Sequence, residues 1–346
     1  MLRRRPTRGL IHYGFAAAAL LFYMGFLMSA LNIRSSLHTA AALASPPEIR
    51  DRLCVVASYR DGCARTNHGA GRKAHLDTFL SSYRAHVAAV NPLLDYFIVV
   101  AEQTQSGYFN EGALLNQGFL HGRSRLGCTY FLFTDIDQIL GSPRNTLVNW
   151  ARQRGMPVHI CTNMTQFNNS VPYDSFMGGA IMLTDAQFLR INGHSSMMEG
   201  WGKEDDNLAS RILHAFGTVY SLPKDVGVCV GLDHARHQPL KVKSDSVTSP
   251  AIRAAQNGMN LNRLIYHYQK YYLSTKGRVM HDVQAQLAFM RLNIPYNLTL
   301  LHELGVVEPE IDGLYNVRSL STIVDIAEKG PRYEHIVVHM HKGEPC

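Results

Sequence analysis

The sequence predicts an α/β domain built on a mostly parallel central sheet. Short apolar runs suited to buried strands recur at Cys54–Ser58, Asp95–Ala101 and Thr129–Thr134. Segments of helical periodicity separate them: Arg72–Val90, with Leu76, Phe79, Leu80 and Tyr83 on one side, and Gly112–Leu120. That alternation is the mark of helices packed on a parallel sheet. The third run also leads directly into Asp135-Ile136-Asp137, at a strand's carboxyl end, where sheets of this class bind ligands.

The chain has 346 residues, room for one large domain or two smaller ones. Its 46% hydrophobic and 18% charged content is that of a globular protein. The net charge of +7 is dispersed, with Arg3–Arg5 as the tightest cluster. No Lys/Arg stripe interleaved with aromatics appears, which argues against a nucleic-acid binder, and a basic surface suits an anionic small substrate.

Gly9 to Leu31 carries no Asp, Glu, Lys or Arg and is long enough to span a bilayer, which takes about 20 apolar residues. Arg3, Arg4, Arg5 and Arg8 precede it and only Arg34 follows closely, so the N-terminus is expected in the cytoplasm. A cleaved signal peptide ending near Ala30 is the alternative, but the run exceeds the roughly 7–15 residues of a signal core. The predicted layout is a cytoplasmic tail (1–8), an uncleaved transmembrane anchor (9–31), a small, polar stem (32–50), a main domain (51–277) and a C-terminal extension of unassigned role (278–346). Acceptor sequons begin at Asn163, Asn168 and Asn297. The six cysteines form no Cys-x-x-Cys pair, which disfavours structural zinc, and their pairing stays open.

Along the domain, Arg60 closes the first strand and 61–71 reads as a glycine-containing loop. The Asp135/Asp137 pair offers one carboxylate to a divalent cation and the other to a sugar hydroxyl; hard oxygen ligands suit Mg²⁺ or Mn²⁺. A strand-to-loop turn with solvated acids would look the same. Gly178-Gly179 precedes the apolar run Ala180–Leu183 and would let backbone approach a ligand, or form a plain bulge. His234 and His237 follow the apolar stretch Val226–Leu232, and His234 is a candidate second metal ligand. Asn257-Gly258 marks a turn, and Leu261–Tyr272 reads as a strand or helix. The densest stretch is Gly200-Trp-Gly-Lys-Glu-Asp-Asp206. Its glycines imply a tight loop, and its carboxylates would start the helix Asn207–Ala215. It holds an aromatic plate beside carboxylates that can bind a sugar and deprotonate a hydroxyl; an acidic helix start with a buried Trp is the plainer reading.

Several stretches together resemble the β-1,4-galactosyltransferase family over roughly Val55–Tyr272. They are Ser58-Tyr-Arg60, the run Tyr108–Phe119, Phe131-Leu-Phe-Thr-Asp-Ile-Asp137, Pro172 through Gly179, Gln187-Phe-Leu-Arg-Ile-Asn-Gly193, Gly200–Asp206 and Asn257-Gly-Met-Asn260. The resemblance implies a GT-A-like nucleotide-sugar fold, a type II Golgi membrane protein with a lumenal catalytic domain, and Mn²⁺-assisted transfer of galactose from UDP-galactose. Transfer would go with inversion to a terminal N-acetylglucosamine or related sugar of a glycan. By the same resemblance Asp205 is the general base, Glu204 holds a sugar hydroxyl, and Asp137 and His234 ligate the metal. Arg60, Arg72, Phe109, Asp135, Gly179 and Trp201 bind the donor. Tyr173, Trp201, Gly202 and Asp206 face the acceptor, and Met197–Gly202 forms a lid.

The chain departs from that pattern at several places. Gly231 stands where the family has a Met ligand, so one metal ligand is either missing or replaced, by Asp233 or His237. Phe176 keeps the bulk of a Tyr common in galactose-specific members. Lys203 replaces a lid glycine, and Gln166 stands where a Lys is common. A donor of UDP-N-acetylgalactosamine and an inactive lumenal sugar-binding protein are the alternative readings. Oligomeric state is not legible.

Overall fold

Every residue from Leu53 to Tyr59 is buried, as a strand covered on both faces must be. This strand, Arg52–Tyr59 (β1), lies at the heart of the computed structural model, which describes residues 51–62, 72–105, 107–233, 261–275 and 307–341. The expected tail, anchor and stem (1–50), His234, His237, the Asn257-Gly258 turn and the Asn297 sequon lie outside the described residues. Among the described residues no helix is long and apolar enough to cross a membrane.

In chain order, Arg72–Val90 (α1) is followed by Asp95–Gln103 (β2), Glu111–Arg125 (α2), Tyr130–Asp135 (β3), Gln138–Leu140 (β4) and Val148–Arg154 (α3). The short strands Val158–His159 (β5) and Asn163–Met164 (β6) come next, then Ala180–Thr184 (β7), Asp185–Arg190 (α4) and Glu204–Phe216 (α5). Tyr220–Ser221 (β8), Val228–Gly231 (β9), Leu261–Thr275 (α6), Val317–Leu320 (α7), Ser321–Gly330 (β10) and Tyr333–Met340 (β11) complete the described chain.

The main sheet runs β10-β11-β2-β1-β3-β7-β5-β8. Its centre is parallel: β11 with β2, β2 with β1, and β1 with β3. β7 then runs antiparallel to β3, and β10 antiparallel to β11. The sheet is therefore more mixed than the apolar runs imply, because a run's composition does not encode its direction. Alternation along β1 divides the core. Leu53, Val55, Ala57 and Tyr59 pack with Leu76, Phe79, Tyr83 and Val87 of α1. Cys54 and Val56 face the other way, toward Ala113, Leu114 and Phe119 of α2. A second sheet, β4-β9-β6, flanks the first, and disulfides join Cys54 to Cys128 and Cys161 to Cys229.

Residues 307–341, which the sequence sets apart as an extension, belong to this architecture. Tyr333–Val338 pairs in parallel with Ile98–Gln103. Asp312 is fully buried and accepts hydrogen bonds from the Ser196 amide (2.8 Å), Gln269 Nε2 (2.7 Å) and Arg211 Nη2 (3.0 Å). Arg211 lies on α5 and Gln269 on α6, so the C-terminal segment braces the helix that begins at Glu204.

Candidate active site

The carboxyl ends of β1 and β3, the start of α1, the loop before α2 and the start of α5 converge on a cavity of about 560 Å³. Its walls contain Arg60, Arg72, Phe109, Asp135, Asp137, Tyr173, Gly179, Trp201, Gly202, Glu204, Asp205 and Asp206. Each of these was expected from the sequence; His234 and His237 lie outside the described residues.

The acidic wall is built by an unusual helix start. Gly200 (φ 73°), Gly202 (φ 114°) and Lys203 (φ 79°) all take left-handed backbone conformations, turning the chain sharply into α5. The Gly202 amide donates to Glu204 Oε2 at 2.7 Å. Lys203 Nζ pairs with Asp206 Oδ2 at 2.7 Å, and the Tyr173 hydroxyl donates to Asp206 Oδ1 at 2.8 Å. Asp206 is thereby held, while Asp205 faces Gly178. A Cβ at residue 178 would lie 2.3 Å from Asp205 Oδ2 and 2.5 Å from Phe176 Cζ. Only glycine leaves room for that carboxylate. Trp201 is 46% exposed at the mouth, so the plainer expectation of a buried Trp does not hold. The Met197–Gly202 loop is tied down from both sides, by the Gly200 amide to the Phe109 carbonyl (2.7 Å) and by the Asn262 carboxamide to both backbone groups of Glu199 (3.1 and 3.0 Å).

Burial raises the pKa of Asp205, and the neighbouring Glu204 and Asp206 raise it further. Glu204 is also raised by burial, against the lowering effect of backbone amides. A base with an elevated pKa is better matched to a proton at neutral pH. Behind the cavity, His159 Nε2 lies 3.1 Å from the Gly178 carbonyl, and burial holds this imidazole neutral, its pKa down at about 4. His159 therefore donates to that carbonyl and fixes the backbone against which Asp205 rests.

The basic wall lies opposite in chemistry. Arg60 is buried, donates to the Gly107 carbonyl at 3.0 Å and stacks over Phe109 at 5.5 Å. Arg72 approaches Asp137 at 3.5 Å with most of its side chain covered. Asp137 is itself buried, and its backbone carbonyl accepts from the Leu232 amide at 2.8 Å.

Glu111 is a cavity residue that sequence reasoning passed over. It occupies the first turn of α2, capped by Asn110, whose side chain accepts from the Ala113 amide at 2.9 Å. Burial and then Asp135, Glu204, Asp205 and Asp137 push its pKa well above the carboxylate range. No local signal separates it from an ordinary acidic helix start; only the fold brings it to the other carboxylates. Among the described residues no three His, Cys, Asp or Glu side chains close around a metal position. The donor chemistry nevertheless fits a hard divalent cation. Asp137 presents a buried carboxylate at the cavity wall, in a field of like-charged carboxylates that a cation would relieve.

A family model described as the N-terminal domain of galactosyltransferase matches residues 158–235. The β-1,4-galactosyltransferase 1 of Bos taurus is 32% identical over 209 residues, covering 59% of this chain and 50% of its own. A β-N-acetyl-D-glucosaminide β-1,4-N-acetylglucosaminyl-transferase of Lymnaea stagnalis is 30% identical over 177 residues, 51% of this chain and 32% of its own. The chain spans about half the length of the first of these. Among solved structures, a Drosophila β-1,4-galactosyltransferase 7 mutant in complex with manganese, UDP-Gal and xylobiose shares the fold. Its TM-score is 0.51 at 17% identity, over 84% of this chain and 95% of that one.

Proposed function

We propose that this chain, a relative of the β-1,4-galactosyltransferases, is an inverting glycosyltransferase that moves galactose from UDP-galactose to a sugar hydroxyl. The observation that carries the reading is the placement of Asp205 against Gly178 in a cavity lined by Arg60, Arg72 and a cluster of carboxylates. Arg60 and Arg72 supply the positive wall for a diphosphate, and Phe109 a flat face for its base. Asp135, Glu204 and Glu111 offer acceptors, or a donor where protonated, to hydroxyls of the transferred sugar. Asp205 takes the acceptor's proton as the acceptor oxygen bonds to the anomeric carbon. The bond from that carbon to the phosphate oxygen breaks, UDP leaves with the electron pair, and a single displacement inverts the centre.

Asp137 would hold Mn²⁺ in part, and the bound cation would supply Lewis-acid neutralisation of the leaving diphosphate. His234 is proposed as a second ligand from its sequence position. Tyr173, Trp201, Gly202 and Asp206 form the acceptor side, where terminal N-acetylglucosamine and a β-1,4 linkage are the reading the family likeness favours. The hydrophobic run 9–31 and the arginines before it support a single-pass type II Golgi protein with a lumenal catalytic domain.

Phe176 favours galactose over N-acetylgalactosamine. Its ring contacts His159, Phe167 and Tyr173, with centroids 6.3, 6.0 and 5.5 Å away. Hemmed in this way, it keeps its bulk in the cavity and leaves less space for an N-acetyl group. UDP release should be measured with UDP-galactose and UDP-N-acetylgalactosamine, each with and without Mn²⁺, over a panel of sugar acceptors. Acceptor- and Mn²⁺-dependent turnover of UDP-galactose is expected. Folded protein that binds UDP but turns over no pair would contradict the reading.

A further inference from the structure

The small β4-β9-β6 sheet brings three chain segments to one end. β4 begins at Gln138, directly after Asp137, and Gln138 pairs with Gly231 at the end of β9. β6 runs parallel to β9, with Met164 opposite Cys229, so the turn that follows β6, Thr165–Phe167, lies beside Gly231. The Cys161–Cys229 disulfide and a hydrogen bond from the Gly231 amide to Thr165 Oγ1 (3.0 Å) fix this register. Gln166 then folds over the glycine. A Cβ at residue 231 would meet Gln166 Oε1 at 2.4 Å, Cδ at 2.5 Å and Nε2 at 3.0 Å. The space a side chain at 231 would fill is taken by a carboxamide from a neighbouring turn. Gln166, Gly231, Asp233 and Asp137 all line the cavity.

We propose that the carboxamide oxygen of Gln166 is a metal ligand, reaching through the opening at Gly231 to the cation that Asp137 holds. This rests on the metal-assisted reading above. A side-chain amide oxygen is a hard, neutral donor of the kind Mg²⁺, Mn²⁺ and Ca²⁺ accept, and it cannot select a soft cation as a sulfur ligand would. Gly231 is then required, because any side chain there displaces the carboxamide. The glycine at 231 thus leaves room for the glutamine at 166.

Mn²⁺ binding to the full chain, without nucleotide, can be read from the electron paramagnetic resonance signal of free Mn²⁺, with Cd²⁺ as competitor. Gln166→Ala is expected to weaken Mn²⁺ binding about tenfold or more, the scale at which losses around a metal centre are felt. Gln166→Glu is expected to tighten it. The double variant Gln166→Ala, Gly231→Met, which clears the carboxamide and places a thioether in its space, is expected to shift preference toward Cd²⁺. Mn²⁺ affinity unchanged in Gln166→Ala, with UDP binding weakened instead, would overturn the proposal and leave Gln166 a phosphate contact. Absence of saturable Mn²⁺ binding by the unmodified chain would remove the metal reading itself, a different failure from an unaffected Gln166→Ala.

Discussion

At the residue scale, the site depends on how closely backbone approaches Asp205. Replacing Gly178 by Ala would set a methyl 2.3 Å from the Asp205 carboxylate. The carboxylate must then move by about an ångström, a displacement that costs roughly 100-fold in rate when it separates reacting groups. Gly178→Ala is therefore expected to lower kcat by about that factor while leaving UDP affinity nearly unchanged, as steady-state rates and nucleotide titration would show. The raised pKa of Asp205 carries a pH consequence. The base must be ionised to act, so kcat is expected to fall as pH drops through a value above the ordinary carboxylate range. The acid limb of a pH–rate profile reports it. What could be read locally at this scale was Asp135 and Asp137 at the end of an apolar run and the Gly200–Asp206 turn. Glu111 and the contact of Gln166 with Gly231 could not be read, since each depends on partners brought near by folding.

At the element scale, α5 carries the acidic wall and is held in place through Arg211. That guanidinium is buried, pairs with Asp312 at 3.0 Å and also donates to Asn207 Oδ1 and Gln269 Oε1. Removing Asp312 leaves the cation buried without its counter-charge. Loss of one partner of such a pair costs about 3–5 kcal/mol. Asp312→Ala is expected to lower the unfolding free energy by that amount in a denaturant titration, and a loss below about 0.5 kcal/mol would contradict the brace. The helix itself was legible from Asn207–Ala215, but its first turn begins at Glu204, because three positive-φ residues rather than a capping side chain start it. Leu261–Thr275 proved helical, and its Gln269 and Asn262 face α5 and the Glu199 loop.

At the scale of the whole molecule, the sheet is completed by β11, more than 200 residues beyond its neighbour β2. Local sequence pattern says nothing about a partner so distant in the chain, which is why the C-terminal segment reads as an appendage. Two buried histidines work against the fold's stability in acid. Burial keeps His159 neutral with a pKa of about 4, and His194 at about 3, with Arg211 adding to the effect on His194. Both values lie below those of the unfolded chain, so their contribution to stability is present above about pH 6.5 and is lost as pH falls toward 4. Thermal unfolding followed from pH 7 to 4.5 is expected to show a declining Tm, with a shallower decline in His194→Asn than in the unmodified chain. A parallel decline would remove His194 from the cause.

The central claim is that Asp205 does chemistry without holding the nucleotide. UDP should be titrated into the unmodified chain and Asp205→Asn by calorimetry, with initial rates of UDP-galactose turnover measured on the same samples. The account predicts dissociation constants within about twofold and a rate lower by roughly 100-fold or more, the scale of a lost general base. Equal loss of binding and rate, or a rate retained in Asp205→Asn, would contradict it.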